Sequence, residues 1–194
     1  MKRLFILSFL FICAINLFAQ KISVDRIESD GRHQIMTSSK SYSVQGTNYS
    51  FCMKVYESSE YKDWLLLISS YSYISKASEL LIKLGNDEVL YLPVNNVNVG
   101  KVTQPGYGYT IGNITSMIPS VDVDYYSSVY ELTSENINKI DSLGIKKIRL
   151  SNGTSYKDKT FEYNSLGKFL RKCYKNILKR LENPLKKKGL FDDF

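Results

Sequence analysis

Histidine and cysteine are scarce in this 194-residue sequence, which contains one histidine, His33, and three cysteines. A Ser/His/Asp arrangement for nucleophilic catalysis would have to use His33, and the residues around it resemble no nucleophile motif. Zinc sites combine three or four cysteine and histidine ligands at short spacings, and the sequence has no such cluster. We therefore expect no metal and no other cofactor, and we assign no catalytic residue.

Only two cysteines, Cys52 and Cys173, lie beyond the first 20 residues, which is too few for a disulfide framework. A bridge between them would need Cα atoms about 4.4–6.8 Å apart. Cys173 lies on the apolar side of a predicted helix, whereas alternation along a predicted strand places Cys52 opposite Tyr49, Phe51, Met53 and Val55. If the helix covers those four side chains, the sheet separates the sulfurs; if it covers the other face, the sulfurs could meet. We expect free, buried thiols.

Hydrophobic runs are short, and none reaches the roughly 20 residues that cross a bilayer. The longest covers residues 4–18, follows two basic residues and ends before Ala19. A basic start, a short apolar run and a small residue at the cut are typical of a secretory signal peptide. We therefore expect export to the periplasm or the outer surface, with cleavage between Ala19 and Gln20.

Basic residues are concentrated near one end of the chain. The formal net charge is +7, and it falls to +5 once Lys2 and Arg3 are removed with the signal peptide. From Lys168 to Lys188 there are nine basic residues and one acidic residue, Glu182. We expect no nucleic-acid binding, because these basic residues lie on one helix with little aromatic interleaving and form no recognised motif.

Short apolar or alternating runs, separated by turn residues, recur along the chain and predict antiparallel strands. The predicted strands cover residues 22–28, 34–37, 49–56, 64–68, 80–84, 89–94, 107–117, 121–132, 146–151 and 154–163. Asn152 and Gly153 form a pair that favours a tight hairpin turn. We expect a mainly β (α+β) fold, either an antiparallel β-sandwich or a partly open barrel.

Two helices interrupt the strand pattern. The first begins at Thr133 or Ser134 and ends at Gly144. The second, at residues 165–182, has apolar residues at steps of three and four, and Pro184 ends it. We expect it to pack on the sheet within one domain over residues 20–183, followed by a flexible tail at 184–194. Its basic face is either solvated or in contact with a membrane surface, through Lys168, Arg171, Lys172, Lys175, Lys179 and Arg180.

Two segments offer candidate binding residues. Residues 100–112 predict a mobile loop in which Tyr107 and Tyr109 contact a sugar or a protein. In the strand at 121–132, Asp122 and Asp124 share one face, with Cα atoms about 7 Å apart. Two such carboxylates could bind calcium or act in glycoside hydrolysis, although the wet face of a half-buried strand is the simpler interpretation.

Three segments together resemble small exported proteins of unknown function from gut bacteria of the Bacteroidetes type. They are the end of the signal peptide at 18–22, the run at 73–84, and the strand at 146–150 with the basic helix after it. The resemblance implies a mainly antiparallel β fold in the cell envelope and carries over no catalytic residue. For a host of this kind, Asp141-Ser142-Leu143 resembles a short acceptor site for O-linked sugar.

Our leading hypothesis is a non-enzymatic envelope module that binds a protein or a glycan. One alternative is a hydrolase that uses carboxylates such as Asp122 and Asp124. Another is a peripheral membrane protein held by its basic C-terminal helix.

Overall fold

The computed structural model describes residues 21–112 and 114–183, most of which lie in antiparallel strands. The strands of this part of the chain are β1 (Ile22–Ile27), β2 (His33–Thr37), β3 (Lys40–Val44), β4 (Thr47–Glu57), β5 (Lys62–Ser70), β6 (Ser78–Leu84), β7 (Val89–Gln104), β8 (Tyr107–Ile111), β9 (Ile114–Ile118), β10 (Val121–Leu132), β11 (Ile145–Asn152) and β12 (Tyr156–Thr160). Helix α1 (Ser134–Leu143) follows β10, and helix α2 (Ser165–Glu182) follows a 3₁₀ turn at Glu162–Asn164. The predicted signal peptide and the tail from residue 184 lie outside the described residues.

Ten of these strands form one antiparallel sheet, in the order β1-β2-β4-β5-β10-β7-β6-β11-β12, with β3 paired to β4. The other two, β8 and β9, pair with each other. The large sheet is not closed into a barrel. The prediction of a mainly β, α+β fold is confirmed, and its form is sandwich-like.

Strand β7 joins the two halves of the sheet. Its first residues pair with β6, from Val89 opposite Lys83 to Pro93 opposite Glu79. From Val94 onward it pairs with β10, whose second half also pairs with β5. One long strand therefore passes from one half of the sheet to the other, and the buried side chains of both halves belong to one core.

The apolar side of α2 packs into this core, as predicted. Its buried side chains lie at helical steps of three and four and include Leu166, Phe169, Leu170, Cys173 and Ile177. The ring of Tyr174 lies 4.9 Å from that of Trp64 on β5. The two arginines of α2 form ion pairs with other elements: Arg180 with Asp25 on β1, and Arg171 with Asp141 on α1.

The Asn164 side chain lies where the C-terminus of α1, the N-terminus of α2 and the start of β11 meet. Asn164 is the N-cap residue of α2, but its side chain makes no capping hydrogen bond. Its Oδ1 instead accepts a hydrogen bond from the backbone N–H of Ile145 at 2.7 Å. A Cβ at Gly144 or Gly167 would overlap the Asn164 amide, so both glycines make room for this side chain.

The turn between β11 and β12 is longer than the predicted two-residue turn, since β12 begins only at Tyr156. Gly153 has a positive φ, whereas Asn152 remains extended at the end of β11. The Asn152 side chain is used elsewhere, because its Oδ1 accepts hydrogen bonds from the Ser75 backbone at 2.7 Å and the Ser78 hydroxyl at 3.2 Å.

Cys52 and Cys173 are free, buried thiols, as predicted. The Cys173 Sγ accepts a hydrogen bond from the Thr37 hydroxyl at 3.4 Å. Because α2 packs on the Phe51 face of β4, alternation places Cys52 on the opposite face of that strand. The sheet therefore lies between the sulfurs, and burial raises the pKa of each thiol to about 11.

Candidate functional site

The binding residues predicted from the sequence lie on one long hairpin. Its strands are β7 and β10, and β8 and β9 follow towards its tip. Beyond the pairing of Tyr126 with Ser70, the strands β7 and β10 pair only with each other in the described residues. We call residues 99–125 the arm; it carries Tyr107, Tyr109, Asp122 and Asp124.

The prediction of a loop over residues 100–112 is wrong, because most of this stretch is in strands. Strand β7 continues to Gln104, and β8 begins at Tyr107 after a break at Pro105 and Gly106. A Cβ at Gly106 would overlap backbone atoms of residues 118–120 on the returning strand, so only glycine fits this close approach. From Val99 to Gln104 alone, the arm extends about 17 Å at the rise of an antiparallel strand.

The two faces of the arm differ in chemistry. One face carries Val102, Val121, Val123 and Tyr125, since Val102 lies directly opposite Val123. The other face is polar except for Val99 at its base, opposite Tyr126. On this face the Thr103 hydroxyl donates to Asp122 Oδ1 at 2.6 Å. Asp124, opposite Lys101 in the register, accepts a long hydrogen bond from the Tyr126 hydroxyl at 3.5 Å. The two aspartates thus share a face, as predicted, and that face is exposed.

Large apolar side chains are unusually frequent and exposed on the arm. Of the fifteen that are exposed in the described residues, six belong to it: Val99, Val102, Tyr107, Met117, Ile118 and Val121. Met117 is 82% exposed and Val99 is 62% exposed. Tyr109 pairs with Ser116 through the backbone of β8. Single exposed apolar residues are ordinary on protein surfaces, whereas six on one projection make it a candidate contact surface. The register distributes them over both faces of the ribbon, since Val102 and Val99 lie on opposite faces, as do Ile118 and Met117.

Two pairs of tyrosine rings hold the base of the arm. Tyr71, just after β5, lies 5.2 Å from the Tyr125 ring in an edge-to-face arrangement. Tyr73 lies 5.4 Å from the Tyr126 ring in the same kind of contact. Because Tyr125 and Tyr126 point to opposite faces of β10, the segment after β5 contacts the arm on both faces. These contacts join residues 54 and 53 positions apart, and no pattern in the sequence predicted them.

A small recess opens near the base of the arm, between the two halves of the sheet. Its volume is about 70 Å³, and four tyrosines line it: Tyr49, Tyr73, Tyr130 and Tyr156. Tyr49 and Tyr130 are buried, whereas Tyr73 and Tyr156 are more than half exposed and form its mouth. Asn152 and Lys157 add polar groups. Sequence reasoning missed this site, because its residues come from strands that are distant in the chain.

His33 belongs to a structural cluster rather than to a nucleophile site. Its Nε2 lies 2.7 Å from Asp25 Oδ1, and Arg180 contacts the other oxygen of the same carboxylate. Burial raises the pKa of Asp25, but hydrogen bonds from His33 and Arg180 outweigh it, so the net pKa is lowered. The cluster fastens the C-terminal part of α2 to β1.

No group of three or more metal-ligating side chains occurs in residues 21–112 and 114–183. In the same residues, no helix is both long and apolar enough to cross a membrane. Comparisons with protein-family models, curated proteins and solved structures give no match.

Proposed function

We propose that this chain is an exported, non-enzymatic module that binds a protein partner through the apolar side chains of the arm. The observation that carries the proposal is the group of six exposed apolar residues on a projecting two-stranded ribbon. Burial of apolar surface contributes roughly 25 cal/mol per Å², so covering these side chains favours association. In the described residues nothing else pairs with the strands of the arm.

The chemistry of the arm favours a protein over a glycan. Val99, Val102, Met117, Ile118 and Val121 are aliphatic and offer a sugar no hydrogen-bond donor or acceptor in their side chains. The outer edges of the arm also present backbone N–H and C=O groups, with which an extended partner segment can pair as an added strand. Apolar side chains and a free strand edge together are the two elements of recognition by strand addition.

The hydrolase alternative has less support. Asp122 and Asp124 lie on the polar, exposed face of the arm, and the recess lined by tyrosines includes neither of them. Glycoside hydrolysis needs two carboxylates on either side of a bound scissile bond. A projecting ribbon offers no walls to hold a sugar between these two side chains.

The tyrosine-lined recess favours glycan binding as a second candidate function. Tyrosine rings at its mouth would stack on a sugar ring, and Asn152 and Lys157 would supply polar contacts. Affinity electrophoresis through gels that contain soluble polysaccharides tests it. Retardation that disappears in Tyr73→Ala and Tyr156→Ala variants, but persists in Tyr163→Ala, would support this function; identical mobility with and without polysaccharide would exclude it for the glycans used.

Site-specific photo-cross-linking in the native host tests the proposal for the arm. A benzophenone amino acid replaces Met117 on the arm or, as the control, Tyr163, which is 87% exposed and lies outside the arm. We expect the Met117 variant to give one adduct of defined mass, and that adduct to be lost when Val102 and Val121 are changed to serine. An equal adduct from Tyr163, or none from Met117, would contradict the proposal. An adduct of twice the chain mass would identify the partner as a second copy.

Export is part of this proposal and rests on the predicted signal peptide at residues 1–19. Intact-mass measurement of the protein from its native host tests it. The expected species begins at Gln20, whereas a soluble cytoplasmic species that retains Met1 would contradict export.

A further inference from the structure

The surface of α2 that points away from the core carries a line of lysines. Lys168, Lys172, Lys175 and Lys179 are exposed, and they follow one another at steps of four, three and four residues. At 100° per residue they fall within about 60° of the helix circumference. At 1.5 Å per residue they span about 17 Å. We call these four residues the lysine stripe.

The lysine stripe is distinct from the other basic residues of α2. Arg171 and Arg180 are held in ion pairs with Asp141 and Asp25. No lysine of the stripe forms an ion pair within residues 21–112 and 114–183. Glu182, one turn after Lys179, is the only acidic residue of the helix. The stripe is therefore a row of cations that the described fold does not neutralise.

We propose that the lysine stripe holds the protein against an anionic membrane surface. The apolar side of α2 is buried in the core, so the helix cannot insert into lipid without unfolding the domain. The attraction to the membrane must therefore be electrostatic. A straight row on the convex side of a helix can touch a flat surface with all four side chains at once. A small soluble anion would contact one or two of them.

The residue type fits this kind of contact. Lysine carries a compact, hydrated charge on a flexible stem, which suits diffuse attraction to phosphate headgroups. Arginine, which forms geometrically defined bidentate pairs, is the residue that α2 uses for its contacts inside the protein. In the sequence the same basic character continues in Lys186, Lys187 and Lys188. The membrane contact also leaves the arm, on a different part of the fold, free to bind its partner.

Vesicle co-sedimentation tests this proposal. The full chain is expressed with its own leader and purified in the form that the cell yields. The vesicles contain phosphatidylcholine alone or with about one third phosphatidylglycerol, an anionic lipid. We expect binding to the anionic vesicles at about 0.05 M salt and its loss at about 0.5 M salt, where charges are screened over a few ångströms. Neutral vesicles should bind little at either concentration.

Two variants with the same change in net charge separate the stripe from overall charge. In the stripe variant, glutamine replaces Lys168, Lys172, Lys175 and Lys179. In the control variant, glutamine replaces four other exposed lysines: Lys21, Lys40, Lys76 and Lys101. At about fivefold for each lysine, the stripe variant should lose at least a hundredfold in vesicle partitioning. The control variant should lose less than tenfold. Glutamine has nearly the helix propensity of lysine, and circular dichroism confirms that both variants are folded.

Each result decides the proposal. Loss in the stripe variant alone supports it. Equal losses in both variants would mean that net charge, rather than the stripe, drives binding. No partitioning of the unchanged protein into anionic vesicles at low salt would overturn it, as would equal binding to neutral vesicles.

Discussion

The ring of Tyr73 meets the ring of Tyr126 edge to face, at 5.4 Å between centroids. Tyr73 follows β5, whereas Tyr126 stands where β10 leaves the sheet and enters the arm. The Tyr71–Tyr125 pair makes a similar contact beside it at 5.2 Å. These contacts fix the base of a ribbon that has no other neighbouring strand in the described part of the chain.

Removing both contacts should loosen the arm without unfolding the sheet. Edge-to-face pairs contribute about 0.5–1.5 kcal/mol each beyond their buried area. In a Tyr71→Ala, Tyr73→Ala variant we expect amide hydrogens of residues 99–104 and 121–126 to exchange about tenfold faster. Exchange in β4 should not change, and a Tyr163→Ala control should behave as the unchanged protein. Unchanged exchange in the arm would show that the rings do not hold it.

The docking of α2 predicts opposite outcomes for substitutions at two positions that lie five residues apart on the helix. Leu170 is 2% exposed and faces the core, whereas Lys175 is exposed. Leu170→Ala should lower the free energy of unfolding by about 2–5 kcal/mol, and Leu170→Asp should prevent folding, because it buries an unpaired charge. Lys175→Glu should change it by less than about 0.5 kcal/mol. Urea denaturation measures all three; equal, small effects would place α2 outside the core.

The ion pairs of Asp158 should stabilise the fold at neutral pH and lose this effect in acid. Its carboxylate accepts hydrogen bonds from Arg149 at 2.7 and 2.8 Å and contacts Lys147. The Arg149 hydrogen bonds have the largest effect and lower the pKa of Asp158, burial opposes them, and Lys147 lowers the pKa further. The pKa of Asp158 is therefore held well below its usual 3.8. A lowered folded-state pKa stabilises the fold above the unfolded-state value, and this contribution disappears as the pH falls through the folded-state value.

The change Asp158→Asn should therefore destabilise the protein at pH 6 and matter less at pH 3. The urea midpoint at both pH values measures this difference. Asp63→Asn serves as the control, because Asp63 forms no ion pair in the described residues. An Asp158→Asn effect that is equal at the two pH values would contradict the assignment.

Thiol counting tests the separation of the two buried cysteines. In denaturant and without reductant, we expect two reactive thiols from the processed chain, or three if the leader with Cys13 is retained. In the folded protein both Cys52 and Cys173 should react slowly at neutral pH, because burial raises the pKa of each to about 11 and thiolate is the reactive form. A monomer with no reactive thiol in denaturant would show that a bridge forms.

Elements with one buried side were predictable from the sequence. The period of α2 marked its bounds, because burial of one side requires apolar residues at steps of three and four. Thr133 and Gly144 marked α1, since its cap and its end have specific chemistry: the Thr133 hydroxyl accepts from the Asn136 backbone, and Gly144 has a φ of 72°. Burial and capping leave a trace in single residues.

The first strand of the arm left no such trace, although strands were predicted at 107–117 and 121–132 on its other side. Residues 95–104 extend β7 ten positions past its predicted end at Val94, and neither face of this stretch packs on the core. Without burial there is no selection for alternation, so the sequence pattern could not show a strand. The tyrosine pairs and the recess depend on which strands become neighbours. The sequence of a single strand does not determine its partner or its register with a distant strand.

Oxidative footprinting of Met117, in intact cells and in the purified protein, tests directly whether a partner covers the arm. Methionine oxidises readily when exposed, and Met117 is 82% exposed in the chain by itself. If a partner covers the arm, Met117 oxidation should be several-fold slower in cells than in the purified protein, while Tyr163 is modified equally in both. Equal oxidation of Met117 in the two samples would show that the arm is uncovered in the cell, and would contradict the proposed binding function.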